Sequence, residues 1–414
     1  MKVSRLPLPL VLILAFAACP KPSTPFTPGP EPEIRVGLGV GKTSVRLGGD
    51  GELFVTDDAN GSPIGAIPVG LSWSAIPDSA GGLVLIKSDG TRTERHQGVS
   101  AVNVTENRFA MVDNRRYRGR INVVRVRAGL TVISRVPVES YVASVLGLEM
   151  GPRRADERQA LLAQAIVSRT FALRNQGRWE SEGFDAFADT RDQVYTGVGS
   201  ETPETWDAVR QTAGLVIRYH GDLIDAFFHS TCGGKTAGVE EAFRNGRSRP
   251  YLRPVSDASG GGHFYDDISP RFRWREEWDG PTLRAILTRT LADMMPIGGD
   301  GLQPITDVAV TKTTASGRVG ELRIAFAHGD VRIPGPDVRG VLRPAPDRML
   351  QSTLFKVSVT RSGDAVSRLV VEGRGSGHGV GLCQWGAIGR ARAGQRSEQI
   401  LETYFPGTKV ERLF

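Results

Sequence analysis

Short stretches in which apolar and polar residues alternate, separated by glycines, recur along most of this chain. They occupy residues 34–60 and 82–135, and similar stretches return at 304–327 and 353–373. Alternation with a period of two is typical of half-buried strands. The 50 glycines among 414 residues favour many turns over long helices. Because strands and helices do not alternate regularly, the sequence predicts an α+β fold with short strands, Gly-rich loops and a few helices.

Helical periodicity is confined to a few segments. Apolar residues at helical spacing predict a first helix at 156–175, where Asp156 and Gln159 resemble a capping box. Shorter helices are predicted at 203–213, 282–295 and 384–394. Between them, His220-Gly221-Asp222 indicates the turn of a hairpin.

The N-terminus has the features of an export signal. Lys2 and Arg5 precede the uncharged residues 6–18. That apolar stretch is too short to span a bilayer and is typical of the core of a signal peptide. We therefore expect residues 1–18 to be a signal peptide and the protein to be exported.

A lipid anchor is predicted directly after the signal. Small residues before Cys19 resemble a lipobox, although Phe16 stands where leucine is usual. Lipidation of Cys19 would make the protein a membrane-anchored lipoprotein facing the periplasm or cell wall, with plain secretion as the alternative. The Pro-rich, polar residues that follow cannot bury a core and predict an extended tether over 19–33.

The formal net charge of +7 is mildly basic. Such a charge suits an acidic polymer such as peptidoglycan, but also nucleic acid or anionic lipid. No run of Lys and Arg interleaved with aromatic residues is present. Nucleic acid is therefore not a predicted partner.

Four segments resemble, in order, the SpoIID/LytB family of cell-wall proteins. They are VPVESYVASVLGLEM with the helix after it (136–173), DQVYTG through FHSTCGGKT (192–236), LQSTLFKV (350–357) and GRGSGHGVGLCQWGA with YFPGT (373–408). GHGVG alone would indicate only a Gly-rich turn, but four segments in the family's order are specific. The resemblance implies a SpoIID-like mixed fold.

The resemblance also implies a division of the chain. The predicted parts are a signal peptide (1–18), a lipidated Cys with a Pro-rich tether (19–33), a β-rich accessory region (34–105) and a SpoIID/LytB domain (106–414). The role of the accessory region is not indicated by its sequence.

Glu149 is the residue on which the resemblance implies catalysis. It follows the apolar residues 145–148 and precedes Met150. Partial desolvation raises the pKa of a carboxyl, as a general acid requires. The start of the helix predicted at 156 would lower that pKa if it pointed at Glu149. A capping or ion-pair role for Glu149 is the alternative.

The implied activity is that of a lytic transglycosylase, a carbon–oxygen lyase acting on peptidoglycan. A single carboxyl group, that of Glu149, would protonate the bond between N-acetylmuramic acid and N-acetylglucosamine and then accept a proton from the muramic 6-hydroxyl. The product would be a 1,6-anhydro end. Hydrolysis uses two carboxylates instead, and Asp189 and Asp192 are the candidates for a second one.

Two Gly-rich loops, one around each of the segments FHSTCGG and GSGHGVGLCQW, are expected to line one groove near Glu149. The candidate substrate-binding residues are Arg169, Tyr195, His229, Ser230, Thr231, Gly233, Gly234, His378 and Gln384. Trp385 is a further candidate for stacking on a sugar. For Arg169 the alternative is a structural ion pair, and for Tyr195 and Trp385 it is a place in the core.

The pair Cys232 and Cys383 leaves three alternatives open: a disulfide, free thiols or metal ligands. His229-x-x-Cys232 has ligand spacing, but two ligands do not make a zinc site. Some relatives are thought to bind zinc through another Cys six positions on, where Gly238 stands here. The implied reaction needs no cofactor, and a speculative zinc set is His229, Cys232, His378 and Cys383.

Two competing functions fit the same segments. One is a non-catalytic protein that binds glycan strands and activates an N-acetylmuramoyl-L-alanine amidase. The other is a structural lipoprotein that holds the wall to the membrane. The sequence does not assign the protein to sporulation, division or recycling.

Overall fold

The computed structural model describes residues 29–126, 129–292, 294, 302 and 304–414. The predicted signal peptide, Cys19 and most of the predicted tether lie outside the described residues. No helix in the described ranges is both long enough and apolar enough to cross a membrane.

The first part of the chain consists of strands. They are β1 (Glu33–Lys42), β2 (Val45–Gly49), β3 (Leu53–Asp57), β4 (Pro63–Ile67), β5 (Ser72–Pro77), β6 (Leu83–Ile86), β7 (Gly98–Asn103), β8 (Ala110–Val112), β9 (Arg115–Tyr117), β10 (Arg120–Val126) and β11 (Gly129–Pro137). Buried and exposed positions alternate along several of them, as the sequence predicts.

Helices dominate the next part. The elements are α1 (Val138–Glu149), α2 (Arg158–Arg174), β12 (Ala186–Phe187), α3 (Pro203–Gln211), β13 (Leu215–Tyr219), β14 (Asp222–Leu223), β15 (Phe228–His229), α4 (Val239–Ala242), β16 (Ala258–Gly260) and β17 (His263–Phe264). His220 and Gly221 both have positive φ, at 51° and 90°, which confirms the predicted hairpin turn.

The remaining elements complete an α+β fold. They are β18 (Arg273–Asp279), α5 (Gly280–Leu291), β19 (Ile305–Thr313), β20 (Val319–Phe326), β21 (Gly329–Pro334), α6 (Gly335–Val341), β22 (Phe355–Ser362), β23 (Ala365–Arg374), β24 (Leu382–Cys383), α7 (Gln384–Arg392), α8 (Ser397–Tyr404) and β25 (Lys409–Arg412).

One large core joins the N-terminal strands to the helices. A seven-stranded sheet has the order β12-β1-β11-β10-β7-β3-β4, and a five-stranded sheet the order β6-β5-β2-β8-β9. Strand β1 pairs antiparallel with β11, with Ile34 opposite Val136. The predicted boundary after residue 105 falls between β7 and β8, and the segments on its two sides share both sheets and this core.

Helix α2 lies at the centre of the large core. Every residue from Ala160 to Leu173 is buried, so the helix packs on all sides. It contacts α1, α3, α7 and α8 as well as β13. The chain segments before and after residues 273–374 therefore fold around the same helix.

A second core is built from β18 through β23 with α5 and α6. Its buried side chains include Trp278, Leu287, Leu322 and Leu369. Two three-stranded sheets, β18-β23-β22 and β19-β20-β21, frame it. Because the chain leaves the large core before β18 and returns after β23, this unit is an insertion between the two loops that the sequence singles out.

The sequence prediction fails at α1 and at the start of α2. Helix α1 precedes the helix that was expected to be first, and its N-cap, Pro137, offers no side-chain cap. The N-cap of α2 is Glu157, which makes no side-chain cap for that helix; its Oε2 accepts the N–H of Arg154 at 3.1 Å in the 3-10 turn just before it. Gln159 instead accepts the N–H of Ser397 at 2.9 Å, so it ties α2 to α8.

Candidate functional site

Glu149 is the last residue of α1, just before Met150 and the left-handed Gly151 (φ 64°). Burial raises the pKa of the Glu149 carboxyl, and the backbone N–H of Val194 and the amide of Gln384 oppose that rise. The end of α1 acts in the same direction as burial, because the negative end of a helix disfavours a carboxylate. The sequence analysis considered the positive end of a helix near Glu149, whereas the structure places Glu149 at the negative end of α1. Glu149 holds its proton to higher pH than an ordinary glutamate does.

Gln384 is the partner that the second Gly-rich loop brings to Glu149. Its Nε2 lies 3.5 Å from Glu149 Oε2, at the long limit of a hydrogen bond. The Gln384 side chain is buried. Gln384 is the first residue of α7, and the Cys383 side chain caps this helix by accepting the N–H of Gly386. The position of the amide is thus fixed by the start of α7.

The two Gly-rich loops lie side by side. Strands β15 and β24 pair in parallel. Beyond them, the N–H of Trp385 donates to the carbonyl of Ser230 at 3.0 Å, and the N–H of Thr231 donates to that of Ser376 at 3.0 Å. Ser230, which is half-buried, and Gln384 therefore lie on adjacent turns.

His229 and His378 hold the backbone of Val380 between them. Nδ1 of His229 lies 3.1 Å from the Val380 carbonyl, and Nδ1 of His378 accepts the Val380 N–H at 3.0 Å. Burial, with Arg339 and Arg318 nearby, lowers the pKa of His378 to about 4. Burial and His378 lower the pKa of His229 as well. Both rings are neutral at pH 7, and we revise His229 from a sugar ligand to a support of the loop.

Three other residues that were predicted to bind sugar make their hydrogen bonds inside the protein. Thr231 Oγ1 lies 2.8 Å from Ser269 Oγ. The N–H groups of Gly233 and Gly234 point to Asp266 Oδ2, at 2.6 and 3.4 Å. All three residues are buried. We therefore revise Thr231, Gly233 and Gly234 from substrate-binding to structural residues.

Arg169 is a structural residue as well. Its side chain is fully buried, and its Nε donates to Glu139 Oε1 at 3.0 Å. Its Nη1 donates to the carbonyl of Leu215 at 3.0 Å. The alternative weighed from the sequence, an ion pair, accounts for this arginine, and the substrate-binding interpretation is revised.

Tyr195 lies in the large core. It is 3% exposed, its ring stacks on Tyr141 with centroids 5.4 Å apart, and its hydroxyl lies 3.4 Å from Ser134 Oγ. The core alternative accounts for this residue. Trp385 is half-buried, with the guanidinium of Arg153 5.8 Å from its ring centroid.

The carboxylates considered as partners for Glu149 have other roles. Asp192 accepts hydrogen bonds from Trp179 Nε1 and the Phe187 N–H, both at 2.8 Å, and from Arg178. Asp189 is half-exposed and paired with Arg191, which lowers its pKa. Both carboxylates are therefore already engaged by other groups of the protein.

An open cleft lies next to the site. Its volume is about 630 Å³, and Val194, Tyr195 and Thr196 line it together with Asp189 and Arg191. Val194 also directs its N–H to Glu149. A larger cleft of ≈ 820 Å³ lies on the second core, and no predicted site residue lines it.

Cys232 and Cys383 are both free and both buried. They lie together with Asp257 and Asp266, two residues that sequence reasoning missed. No spacing relates these aspartates to the cysteines, so only the folded chain reveals the group. The histidines of the speculative zinc set do not belong to it.

Residues 126–219, which contain α1 and Glu149, match the family model described as Stage II sporulation protein. The resemblance to the SpoIID family is confirmed. Residues 261–381, which contain the second core, match a model described as a domain of unknown function (DUF8618).

Three similar proteins each align with most of this chain. Stage II sporulation protein D of Bacillus subtilis is 28% identical over 293 residues, which cover 67% of this chain and 75% of that protein. An uncharacterized protein of Brachyspira hyodysenteriae is 28% identical over 298 residues, covering 71% and 72% of the two chains. The Amidase enhancer of Bacillus subtilis is 28% identical over 280 residues, 61% of this chain but only 38% of that protein.

Proposed function

We propose that this SpoIID-type protein is a lytic transglycosylase that cleaves peptidoglycan glycan strands, with Glu149 as both acid and base. The observation that carries the proposal is the position of Glu149. Its half-buried carboxyl, with a raised pKa, ends α1 within the segment that matches the family. A carboxyl that stays protonated is the group that glycosidic cleavage requires.

In the first step, the Glu149 carboxyl donates its proton to the oxygen between N-acetylmuramic acid and N-acetylglucosamine. The bond to the muramic anomeric carbon breaks, and N-acetylglucosamine leaves as the alcohol. Glu149 is then a carboxylate. The Gln384 amide, 3.5 Å away, stabilises that charge as it forms.

In the second step, the carboxylate accepts the proton of the muramic 6-hydroxyl. The hydroxyl oxygen bonds to the anomeric carbon and closes a 1,6-anhydro ring. Water is not consumed, and Glu149 is again protonated for the next cycle. The reaction needs a single carboxyl group, in keeping with the separate structural and surface roles of Asp192 and Asp189.

The second candidate is a non-catalytic activator of an N-acetylmuramoyl-L-alanine amidase. One observation favours it: a relative that shares 28% identity with this chain is named Amidase enhancer. In this case the protein would bind glycan strands and a cell-wall amidase, and Glu149 would be dispensable.

We further propose that the protein works outside the cytoplasm, anchored by a lipid on Cys19. The apolar residues 6–18 and the small residues before Cys19 support export and lipidation. The Pro-rich segment that follows would let the folded part reach the wall from the membrane.

The type of chain end tests the proposal. The protein is incubated with purified glycan strands, both peptide-bearing and denuded, and the products are analysed by mass spectrometry. We expect 1,6-anhydromuramic ends on at least one substrate. Reducing ends would mean hydrolysis by a second carboxylate, and binding without cleavage would favour the amidase-activator function.

A further inference from the structure

Two cysteines and two aspartates meet where three separate chain segments cross. Cys232 follows β15, Asp257 and Asp266 flank β16 and β17, and Cys383 ends β24. All four are fully buried, and one ligand atom from each lies within 4.8 Å of the other three.

The distances within this group suit one tetrahedral ion. Cys232 Sγ lies 3.2 Å from Asp266 Oδ2 and 3.7 Å from Asp257 Oδ2, and Cys383 Sγ lies 3.9 Å from Asp266 Oδ2. Zinc–sulfur bonds of 2.3 Å and zinc–oxygen bonds of 2.0 Å place tetrahedral ligands about 3.3–3.8 Å apart. The three separations therefore lie close to the edges of such a tetrahedron.

Two backbone donors are directed at the sulfur of Cys383. Its Sγ accepts the N–H of Cys232 at 3.1 Å and that of Gly386 at 3.3 Å. Gly386 lies in the first turn of α7, where the helix dipole also favours negative charge. Two backbone donors on one sulfur suit a thiolate, the form that binds metal.

A second observation is the unsatisfied carboxylate of Asp266. Its Oδ1 is buried and has no hydrogen-bond partner among the described residues. An orphaned carboxylate oxygen beside two cysteines is costly unless a cation balances the charge.

Charge balance points to a divalent ion. Two thiolates and two carboxylates carry four negative charges. Arg390 Nη2 pairs with Asp257 Oδ1 at 2.8 Å, and the buried Arg318 donates to the Cys232 carbonyl at 2.8 Å. These two guanidinium groups supply two positive charges, and a divalent cation would supply the other two.

We propose that Cys232, Cys383, Asp257 and Asp266 bind a structural zinc ion. Because all four ligands come from the protein, the site is closed and has no position for substrate, as in structural zinc sites. On binding, each thiol releases its proton to solvent, and no residue is oxidised or reduced. The ligand set uses neither His229 nor position 238, where some relatives are thought to carry a cysteine.

Such an ion would hold the catalytic loops in place. Cys232 is two residues from Ser230, and Cys383 directly precedes Gln384. The ion would thus fix the loop of β15 and the start of α7, while Asp257 and Asp266 lie in the segment that leads to the second core. The zinc proposal does not depend on the proposed reaction, because an activator of amidases would need the same loops.

The test is metal analysis of the full chain, purified in detergent with a reductant and without chelator. Atomic emission should find about one zinc ion per chain. Cys383→Ser and Asp266→Asn should each lose most of that zinc, whereas Asp364→Asn, the same change at an exposed turn, should keep it. A chelator should lower the midpoint of thermal unfolding of the wild type.

If the variants fail to fold, replacing zinc by cobalt in the wild type tests the same site. Thiolate-to-cobalt charge-transfer absorption is the expected result. Absence of both zinc and cobalt absorption would overturn the proposal. So would a Cys232–Cys383 disulfide found by non-reducing peptide mapping, or zinc retained by both ligand variants.

Discussion

The side-chain amide nitrogen of Gln384 lies 3.5 Å from Oε2 of Glu149, although 235 residues separate them in the chain. Helix α1 carries one residue and the start of α7 the other, and both helices pack on α2. An amide donor stabilises the ionised form of a carboxyl, whereas burial stabilises the protonated form. The contact therefore moderates the raised pKa of the proposed acid.

Replacing Gln384 by Ala should move the pH profile of strand cleavage. Loss of the amide removes a group that lowers the pKa of Glu149. The general acid then stays protonated to higher pH, and the fall in rate on the alkaline side should shift upward. The measurement is the cleavage rate against pH, with Gln97→Ala at an exposed position as control. A shift toward lower pH would contradict this role of Gln384.

Glu149→Gln should stabilise the protein at neutral pH. Because burial raises the pKa of Glu149 in the folded state, the folded state binds the proton more tightly than the unfolded state does. The resulting stability is present below the unfolded pKa, about 4.3, and is lost as pH rises through the higher folded pKa. Glutamine removes the cost of the buried charge. Thermal unfolding should therefore show a higher midpoint for the variant at pH 7 and a smaller difference near pH 4. A lower midpoint than the wild type at pH 7 would be inconsistent with this account.

Arg169→Met should reduce the free energy of unfolding by about 3–5 kcal/mol, since it leaves Glu139 without its buried partner. Urea unfolding measures this loss. The double variant with Glu139→Leu should lose less than the sum of the single variants. Arg158→Met, which breaks the half-exposed pair with Asp207, should cost at most about 1 kcal/mol. A fully stable Arg169→Met protein with impaired glycan binding would restore the substrate-binding interpretation.

Tyr195→Phe should leave strand binding and cleavage unchanged. Among the described residues the hydroxyl has one hydrogen-bond partner, Ser134 at 3.4 Å, so its loss should cost about 1 kcal/mol of stability or less. Tyr195→Ala should cost about 3–5 kcal/mol, because it leaves a cavity beside Tyr141. Binding to glycan strands and urea unfolding separate the two effects. Weaker binding by Tyr195→Phe would argue for contact with sugar.

The fold class and several elements could be predicted from local patterns. Alternation located strands such as β20 and β23, and helical spacing located α2, α3 and α7. Helix α1 could not be found this way, because most of its residues are apolar and no capping side chain marks its start. Periodicity alone does not distinguish such a buried helix from a strand.

The site could be predicted in part. Glu149, Gln384 and the adjacency of the two loops were found through the family resemblance. For Arg169 and Tyr195 the sequence left two alternatives open and could not choose between them, because their partners Glu139 and Ser134 are 30 and 61 residues away in the chain. Asp266 was missed for the same reason, since its contacts with the cysteines arise only from the tertiary fold.

The most direct test of the central claim compares Glu149→Gln with wild type and with Glu106→Gln, the same change at an exposed position. The measurement is the rate at which 1,6-anhydromuramic ends form on purified glycan strands. Loss of the general acid should lower this rate at least about 100-fold in Glu149→Gln, with Glu106→Gln equal to wild type. An undiminished rate in Glu149→Gln would show that Glu149 is not the catalytic acid.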